Sequence, residues 1–226
     1  RGTHAYDAYL TRASAGGVNA CEIWLSSWNL ALEWNGRWHG YPGLEHWNFA
    51  NAWKIDWLIS RAEKLGIRIN LVLNNHGQGS EKCDQEWHTN PWNRLNGGPL
   101  VHAEELFRDP RVATSQAAQR RYLVASYGDS PAILAWKLWS EIDLTSATPR
   151  DLHAWHVQAI AHLTALDPWK HPIATHWCGN FRHVEPRIAT LPGLGLICID
   201  AYHTNLPARD GTDLISLFHQ GLGASG

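Results

Sequence analysis

The chain alternates between two hydrophobic patterns, and this alternation limits the folds that it can adopt. Short, strongly apolar runs have the length of β-strands, and longer stretches between them carry apolar residues at helical spacing. The predicted strands lie near residues 18–25, 67–73, 132–138, 172–176 and 194–201. The predicted helices lie near residues 6–15, 51–65, 112–127, 150–166 and 213–220. A strand–helix repeat of this kind predicts an α/β fold with a parallel sheet and right-handed crossovers.

Most of the predicted strands are followed directly by polar side chains. These are Ser26 and Ser27, Asn74, Asn75 and His76, Ser140 and Glu141, His176 and Trp177, and Tyr202 and His203. In a closed β/α barrel such strand ends converge on one mouth, where the active site lies. An open doubly wound sheet usually carries a glycine-rich phosphate loop, and no G-x-G-x-x-G follows a strand here. The pattern therefore favours a TIM (β/α)8-type barrel.

The strand predicted at 132–138 shows this pattern most clearly. Pro131 precedes it, where a missing N–H costs least, and the nearly continuous apolar run then ends at Ser140, Glu141 and Asp143. Such a run is typical of a parallel strand that is buried on both faces. Glu141 is therefore a candidate for catalysis, although it could instead cap the next turn or pair with a loop arginine. We expect Asp143 to cap the following turn.

Composition argues against several classes of protein. The 226 residues carry a net charge of −2, which gives no reason to expect a nucleic-acid or anionic-membrane partner. No apolar run approaches the roughly 18 residues of a membrane span, and no signal peptide is visible. Because the sequence contains no Met, we expect a processed or partial chain. The 14 Trp residues are abundant, and their rings stack well on sugars, although Trp also fills protein cores.

Several segments together resemble one known family. Residues 136–141, Trp-Lys-Leu-Trp-Ser-Glu, are similar to the Trp-x-x-x-Asn-Glu that ends strand four in the cellulase-type glycoside hydrolases of family 5 and their β/α-barrel clan. The Asn-Asn-His at 74–76 resembles the end of strand three, and the Tyr-His at 202–203 resembles the end of strand six. Residues 90–122, with their Asn-Pro, Gly-Gly and Asp-Pro pairs, also resemble bacterial members.

The resemblance implies a (β/α)8 barrel of which this chain covers roughly strand 2 to helix 6, as a single partial domain over residues 1–226. It implies a retaining glycoside hydrolase that acts on a β-linked poly- or oligosaccharide, with Glu141 as general acid/base and no cofactor. Retaining hydrolysis needs two carboxyl groups about 5–5.5 Å apart. Because the nucleophilic Glu of the clan ends strand seven, we expect it outside this chain, with Asp200 as the alternative within it.

The same resemblance gives expectations about partners, location and substrate contacts. We expect an extracellular or periplasmic location and a carbohydrate partner, with self-association or further segments of the same barrel as other partners. The expected substrate-binding residues are His76, Asn75, Ser140, Trp177, His176, Tyr202, His203 and Trp28. Alternatively, His76 stabilises its loop, and Tyr202 and His203 pack at the rim. Trp28, Trp34 and Trp38 line a glycan cleft or pack their loop on itself.

Two residues depart from the pattern of the family. Ser140 replaces the Asn that hydrogen-bonds the sugar 2-hydroxyl in the clan, and Glu22 stands where an Arg that supports the nucleophile is expected. These departures leave a second hypothesis open, a catalytically inactive barrel that binds carbohydrate or has a structural role. A third hypothesis is a metal-dependent barrel hydrolase. Asp84, Glu86 and His88 alternate in one loop, but they have no fourth partner at metal-site spacing, so we expect no metal. The four scattered Cys residues also argue against a zinc ribbon.

Overall fold

Five parallel strands form one sheet in the computed structural model, which describes residues 2–179 and 184–200. The order of the strands across the sheet equals their order in the sequence. Their bounds are β1 Ala20–Trp24, β2 Arg68–Val72, β3 Ile133–Lys137, β4 Ile173–Trp177 and β5 Leu194–Ile199. All five overlap the predicted ranges, and the parallel direction of every pair confirms the predicted sheet.

Helices precede or connect the strands. Their bounds are α1 Thr3–Ala15, α2 Phe49–Leu65, α3 Pro110–Tyr127, α4 Pro149–Leu166 and α5 Pro186–Ala189. The first four overlap predicted helices, whereas the short α5 was not predicted, and the helix predicted at 213–220 lies outside the described residues. Asp109 and Thr148 cap α3 and α4, because each side chain accepts a hydrogen bond from a first-turn N–H and each is followed by Pro.

Alternate residues of each strand face opposite sides of the sheet, and this separates the core from the site. On the helical side, Trp136 Nε1 donates to Asp167 Oδ2 at 2.9 Å, and His156 Nε2 lies 3.0 Å from Thr175 Oγ1. We call the opposite side the inner face; its polar side chains are Glu22, Asn70, Lys137, His176 and Asp200. Helices on one side and inward side chains on the other are the arrangement of a β/α-barrel wall.

The Trp-rich loop at residues 26–48 is held by specific hydrogen bonds. Tyr41 Oη donates to the Ser27 carbonyl oxygen at 2.7 Å, and Asn51 Nδ2 donates to the Ala31 carbonyl oxygen at 2.8 Å. Asn48 ends the loop and caps α2 by accepting a hydrogen bond from the Asn51 backbone N–H. These bonds fix the position of the loop beside the C-terminal end of β1.

The second long loop, residues 78–109, contains a close approach that requires glycine. The loop folds through short 3₁₀ turns, and Asn93 Nδ2 donates to the Trp87 carbonyl oxygen at 3.0 Å. A Cβ atom added at Gly98 would lie 2.2 Å from the backbone carbon of Trp92, which is inside the contact distance of two carbon atoms. Glycine at this position therefore allows two backbone segments to pack against each other.

The five strands and their helices share one hydrophobic core, which includes buried residues of α1 to α5. The assignment of residues 1–226 to a single partial-barrel domain stays a prediction, because residues 201–226 lie outside the described part. Over residues 2–179 and 184–200, no helix combines the length and the apolar character that a membrane crossing requires.

Candidate active site

Glu141 lies just beyond β3, at the C-terminal edge of the sheet. Its backbone is left-handed, with φ 56° and ψ 54°, a conformation that is unfavourable for residues other than glycine. Its side chain is only 12 % exposed, and Oε2 lies 2.8 Å from His76 Nδ1. Unfavourable backbone conformations persist where the surrounding structure imposes them, and they are common at active sites. The structure therefore places this carboxyl group at the expected edge, while its catalytic role stays a prediction.

The surroundings of Glu141 favour its protonated form. Burial raises the pKa of Glu141 above its usual range, and a hydrogen bond with the carboxyl group of Asp200 raises it further. His76 and Cys178 act on this pKa in the opposite direction. A raised pKa suits a carboxyl group to general acid catalysis, because the group must carry a proton when the reaction begins.

His76 lies between two carboxyl groups. Its Nε2 is 2.7 Å from Asp84 Oδ2, and its Nδ1 is 2.8 Å from Glu141 Oε2. Because an ionised carboxylate only accepts hydrogen bonds, Nε2 carries a proton that it donates to Asp84. The contact of Nδ1 is close but poorly directed, so this buried nitrogen makes no hydrogen bond among the described residues. Asp84 thus orients the imidazole ring, and the second ring nitrogen faces Glu141.

Ser140, His176 and Asp200 are linked across three strand ends. Ser140 Oγ lies 3.0 Å from His176 Nδ1, and Asp200 Oδ1 lies 3.0 Å from His176 Nε2. Burial and the charge of Lys137 lower the pKa of His176, so the neutral ring donates from Nε2 to Asp200 and accepts at Nδ1. Ser140 is fully buried, and the prediction that it contacts substrate is wrong because its hydroxyl group is enclosed against His176.

Glu22 forms an ion pair with a lysine that sequence analysis missed. Lys137 Nζ lies 2.7 Å from Glu22 Oε2 and 3.0 Å from His176 Nδ1. The lysine side chain is 1 % exposed, whereas the Glu22 side chain is 32 % exposed. Glu22 also accepts a hydrogen bond from Trp24 Nε1 at 2.6 Å. A charged residue inside an otherwise apolar strand was the signal for Lys137, and the unexpected acid at position 22 is its partner.

Two further predicted residues, Asn75 and Trp28, differ in their exposure to solvent. Asn75 is buried, and its Oδ1 accepts from the Gln78 backbone N–H at 3.1 Å, but its Nδ2 makes no hydrogen bond among the described residues. Trp28 is 56 % exposed, and its ring lies 6.3 Å from that of Trp24. The remaining predicted pair, Tyr202 and His203, lies outside the described residues.

The structure contradicts the prediction that Trp177 contacts substrate. Trp177 is buried in the hydrophobic core, because it follows His176 in the strand and therefore points to the helical side. Trp34 is also buried, so it offers no open ring face to a glycan cleft. Trp38 is partly exposed, and it lies with Trp28 along one surface groove.

The residues that sequence analysis considered for a metal do not come together in the described part of the chain. Asp84 contacts His76, whereas Glu86 Oε2 accepts a hydrogen bond from Ser27 Oγ at 2.6 Å. Two other groups do bring possible ligand atoms within 4.8 Å of one another. They are His76, Cys83 and Asp84, and Glu141, Cys178 and Asp200.

Cys178 lies beside Glu141 and was not predicted from any sequence pattern. Its backbone N–H donates to Asp143 Oδ1 at 2.8 Å, so the prediction that Asp143 caps the turn that follows it is wrong. Burial and the neighbouring carboxyl groups raise the pKa of the Cys178 thiol to about 12. The thiol is therefore protonated beside Glu141, and Asp143 fixes the backbone that carries it.

Comparison with known proteins gives curated relatives that are named mannan endo-1,4-β-mannosidases. No family model matches the chain. Mannan endo-1,4-β-mannosidase F of Aspergillus fumigatus is 28% identical over 122 residues, which are 54% of this chain and 26% of the relative. Mannan endo-1,4-β-mannosidase 8 of Oryza sativa subsp. japonica is 25% identical over 174 residues, 71% of this chain and 43% of the relative. The chain thus spans about a quarter to less than half of the length of these curated relatives.

Solved structures agree with the fold. The endo-1,4-β-mannanase of Rhizomucor miehei superposes with a TM-score of 0.68 at 14% identity, covering 100% of this chain and 70% of that one. A glycoside hydrolase family 5 mannosidase of the same organism gives 0.63 at 12% identity, covering 97% and 60%. The endo-β-1,4-mannanase of Thermotoga petrophila gives 0.58 at 20% identity, covering 82% and 42%. The predicted β/α-barrel fold and the resemblance to family 5 glycoside hydrolases are confirmed.

Proposed function

We propose that the chain is part of a retaining glycoside hydrolase that cleaves β-1,4-linked mannan, with Glu141 as the general acid/base. The relatives named above are mannan endo-1,4-β-mannosidases, and this supports both the reaction and the sugar. The observation that carries the proposal is the position of Glu141, beyond the third strand of the sheet, buried, and 2.8 Å from His76. The expectation that the nucleophilic Glu lies outside residues 1–226 stays a prediction.

In this proposal Glu141 transfers the proton, whereas the other site residues position groups of the site or contact the sugar. In the proposed reaction, the Glu141 carboxyl group protonates the leaving oxygen, and the resulting carboxylate then accepts a proton from the attacking water. His76, which Asp84 orients, positions this carboxyl group. Asn75 is the proposed contact for a sugar hydroxyl, and His176 positions Asp200, whose carboxyl group hydrogen-bonds Glu141.

The groove beside β1 is proposed to hold further sugar units. It is lined by Trp28, Trp38 and Tyr41, and its polar groups include Asn51 and Lys54. Exposed indole rings stack on the C–H faces of pyranoses, while the polar side chains hydrogen-bond hydroxyl groups. The loop hydrogen bonds of Tyr41 and Asn51 hold this surface in place.

Hydrolysis tests the catalytic assignment. The chain, joined to any further barrel segments of its natural protein, is assayed on β-mannan and on aryl β-mannosides. We expect Glu141→Ala to abolish hydrolysis of mannan and azide to restore cleavage of activated aryl glycosides. The matched control is Glu104→Ala, an exposed glutamate paired with Arg108, which is expected to retain activity. Full activity of Glu141→Ala would refute the assignment.

Measurements of carbohydrate binding distinguish a glycoside hydrolase from an inactive barrel that only binds carbohydrate. The burial of Ser140 against His176, where the family has a sugar-binding Asn, is the observation that favours the inactive alternative. Mannohexaose binding is measured for Trp28→Ala and for the control Trp53→Ala, whose 60 % exposed ring lies on α2. Loss of binding only in Trp28→Ala, together with no hydrolysis by the natural protein, would identify a carbohydrate-binding protein without catalysis.

Location and assembly remain part of the proposal. A polysaccharide is too large to enter a cell intact, so we propose an extracellular or periplasmic location, which fractionation of the producing cells would test. Leu196 and Ile197 of the edge strand β5 are 40 % and 42 % exposed, which supports contact with another copy or with further segments of the same barrel. Sedimentation velocity distinguishes monomer from oligomer.

A further inference from the structure

We propose that the groove beside β1 selects acidic sugar units, so that the natural substrate is a β-linked mannan that carries uronate units. This inference rests on the proposed function, because it names the kind of sugar that the groove would hold. The groove has a volume of about 650 Å³, which lies within the range of roughly 300–1,000 Å³ that is usual for ligand sites. It therefore has room for a sugar unit and its substituents.

The charged side chains that line the groove are all cations. They are Arg37 and Lys54, and His39 adds an imidazole that becomes positive when it is protonated. No Asp or Glu is among the described residues that line the groove, whereas Trp28 and Trp38 give it apolar surface. A cleft with charges of one sign and walls of low polarity concentrates ligands of the opposite charge. The groove is therefore complementary to a carboxylate.

A chain of hydrogen bonds holds the lysine of the groove in place. Lys54 Nζ donates to Asn51 Oδ1 at 3.0 Å, and Asn51 Nδ2 donates to Tyr41 Oη at 3.1 Å. Tyr41 Oη in turn donates to the Ser27 carbonyl oxygen at 2.7 Å. The half-buried ammonium group of Lys54 has three N–H donors, and the amide oxygen that accepts from it is neutral. The carboxylate of a uronate would compensate this charge.

Arg37 is the second cation of the groove and is exposed to solvent. Its Nη2 is 3.5 Å from the Leu95 carbonyl oxygen, and its backbone N–H donates to Asn35 Oδ1 at 3.0 Å. A guanidinium group has five N–H donors in a planar fork that matches the two oxygens of a carboxylate. Trp38, the next residue, adds a partly exposed ring to the same groove, and such a ring stacks on the C–H face of a pyranose.

The catalytic edge has the opposite character. Ser27 connects the two regions, because it lines the groove while its Oγ donates to Glu86 Oε2 at 2.6 Å. At the edge itself, the carboxyl groups of Glu141 and Asp200 share a hydrogen bond. A further anion is unfavourable beside these groups, since like charges repel. We therefore expect a neutral mannose unit at the cleaved bond and the uronate in the groove.

Binding of two matched trisaccharides tests the inference. Mannotriose is compared with a β-1,4-linked mannuronate trimer, in which a carboxylate replaces each C6 hydroxymethyl group while the rings and linkages stay the same. Short oligomers are used because they need not extend to the catalytic edge. Calorimetric titration is carried out with Glu141→Gln, joined to any further barrel segments of the natural protein, so that neither trimer is cleaved during the measurement.

The charge of the groove predicts the outcome for each trimer. At about 20 mM salt, the mannuronate trimer should bind at least about fivefold more tightly than mannotriose, and this preference should decrease at about 300 mM because salt screens exposed charges. Arg37→Gln and Lys54→Gln should each weaken mannuronate binding by about two- to fivefold and leave mannotriose binding unchanged. Lys54→Arg keeps the charge and should retain the preference. Lys64→Gln, which removes an exposed lysine of the same helix outside the groove, is the matched control.

Two results would overturn the inference. The first is equal affinity for the two trimers at low salt. The second is a preference for the mannuronate trimer that survives when Arg37→Gln and Lys54→Gln are combined. The proposed function can fail separately: a preference for the acidic trimer in a natural protein that hydrolyses no mannan would refute that function alone. Hydrolysis of mannan that depends on Glu141, without any preference for the acidic trimer, would refute this inference alone.

Discussion

The ion pair between Glu22 and Lys137 predicts that its two members contribute unequally to stability. Lys137 is 1 % exposed and Glu22 is 32 % exposed, so only the lysine depends on protein groups for its solvation. Glu22→Gln leaves a buried ammonium without its anion, which costs about 3–5 kcal/mol when a buried pair is broken from one side. Lys137→Met leaves a carboxylate that water can reach, and we expect a loss of about 1–2 kcal/mol, reduced by solvent screening.

Urea unfolding at neutral pH measures this asymmetry. The double variant Glu22→Gln with Lys137→Met is expected to lie close to Lys137→Met alone, because the glutamine no longer faces a buried charge. Arg111→Met, which breaks an exposed pair with Asp109, serves as the control and should change the free energy of unfolding by less than about 1 kcal/mol. If Glu22→Gln destabilises the chain no more than Lys137→Met, burial of the lysine does not determine how the two members of the pair contribute to stability.

Two further predictions concern packing and protonation. Gly98→Ala should destabilise the chain by about 3 kcal/mol because its Cβ would collide with the Trp92 backbone. Gly97→Ala, at φ +92° with no atom near its Cβ, should cost about 1–2 kcal/mol, and equal losses in thermal or urea unfolding would contradict the steric argument. Burial lowers the pKa of His156 to about 4, so the unfolded chain binds more protons between pH 6.5 and pH 4. His156 contributes about 3 kcal/mol to the free energy of unfolding above pH 6.5, and this contribution is lost as the pH falls toward 4. In His156→Gln, the free energy of unfolding measured in urea should therefore depend less on pH over this range. An unchanged pH dependence would contradict the assignment to His156.

Hydrophobic spacing was sufficient to predict the layers of the fold. The run at 132–138 and the helical spacing at 51–65 identified β3 and α2, because strands buried on both faces and amphipathic helices have distinct periods. The spacing did not identify α5, which is only one turn long and has too few residues for a periodic pattern. Local sequence patterns were therefore sufficient to predict the long helices and the strands, but not the one-turn helix α5.

Individual site residues could be predicted because they follow strands, but the contacts between these residues could not. Glu141 and His76 were selected because each follows a buried strand, and the structure brings them to 2.8 Å. The outward direction of Trp177 could not be predicted, because a strand that is buried on both faces shows no alternation to indicate which residue points inward. Cys178 lies beside Glu141 only because β4 is adjacent to β3, a relationship that no local pattern contains.

The left-handed backbone of Glu141 creates a conflict between thermal stability and the proposed catalytic role of this residue. Glycine is the residue that adopts this conformation without a steric penalty, so a selection for thermal survival alone would enrich Glu141→Gly. The enriched variants would lose the carboxyl group that we propose as the general acid/base. Engineering of this scaffold should therefore hold residue 141 fixed, and a glycine in a natural homologue at this position would indicate a lineage that has abandoned hydrolysis.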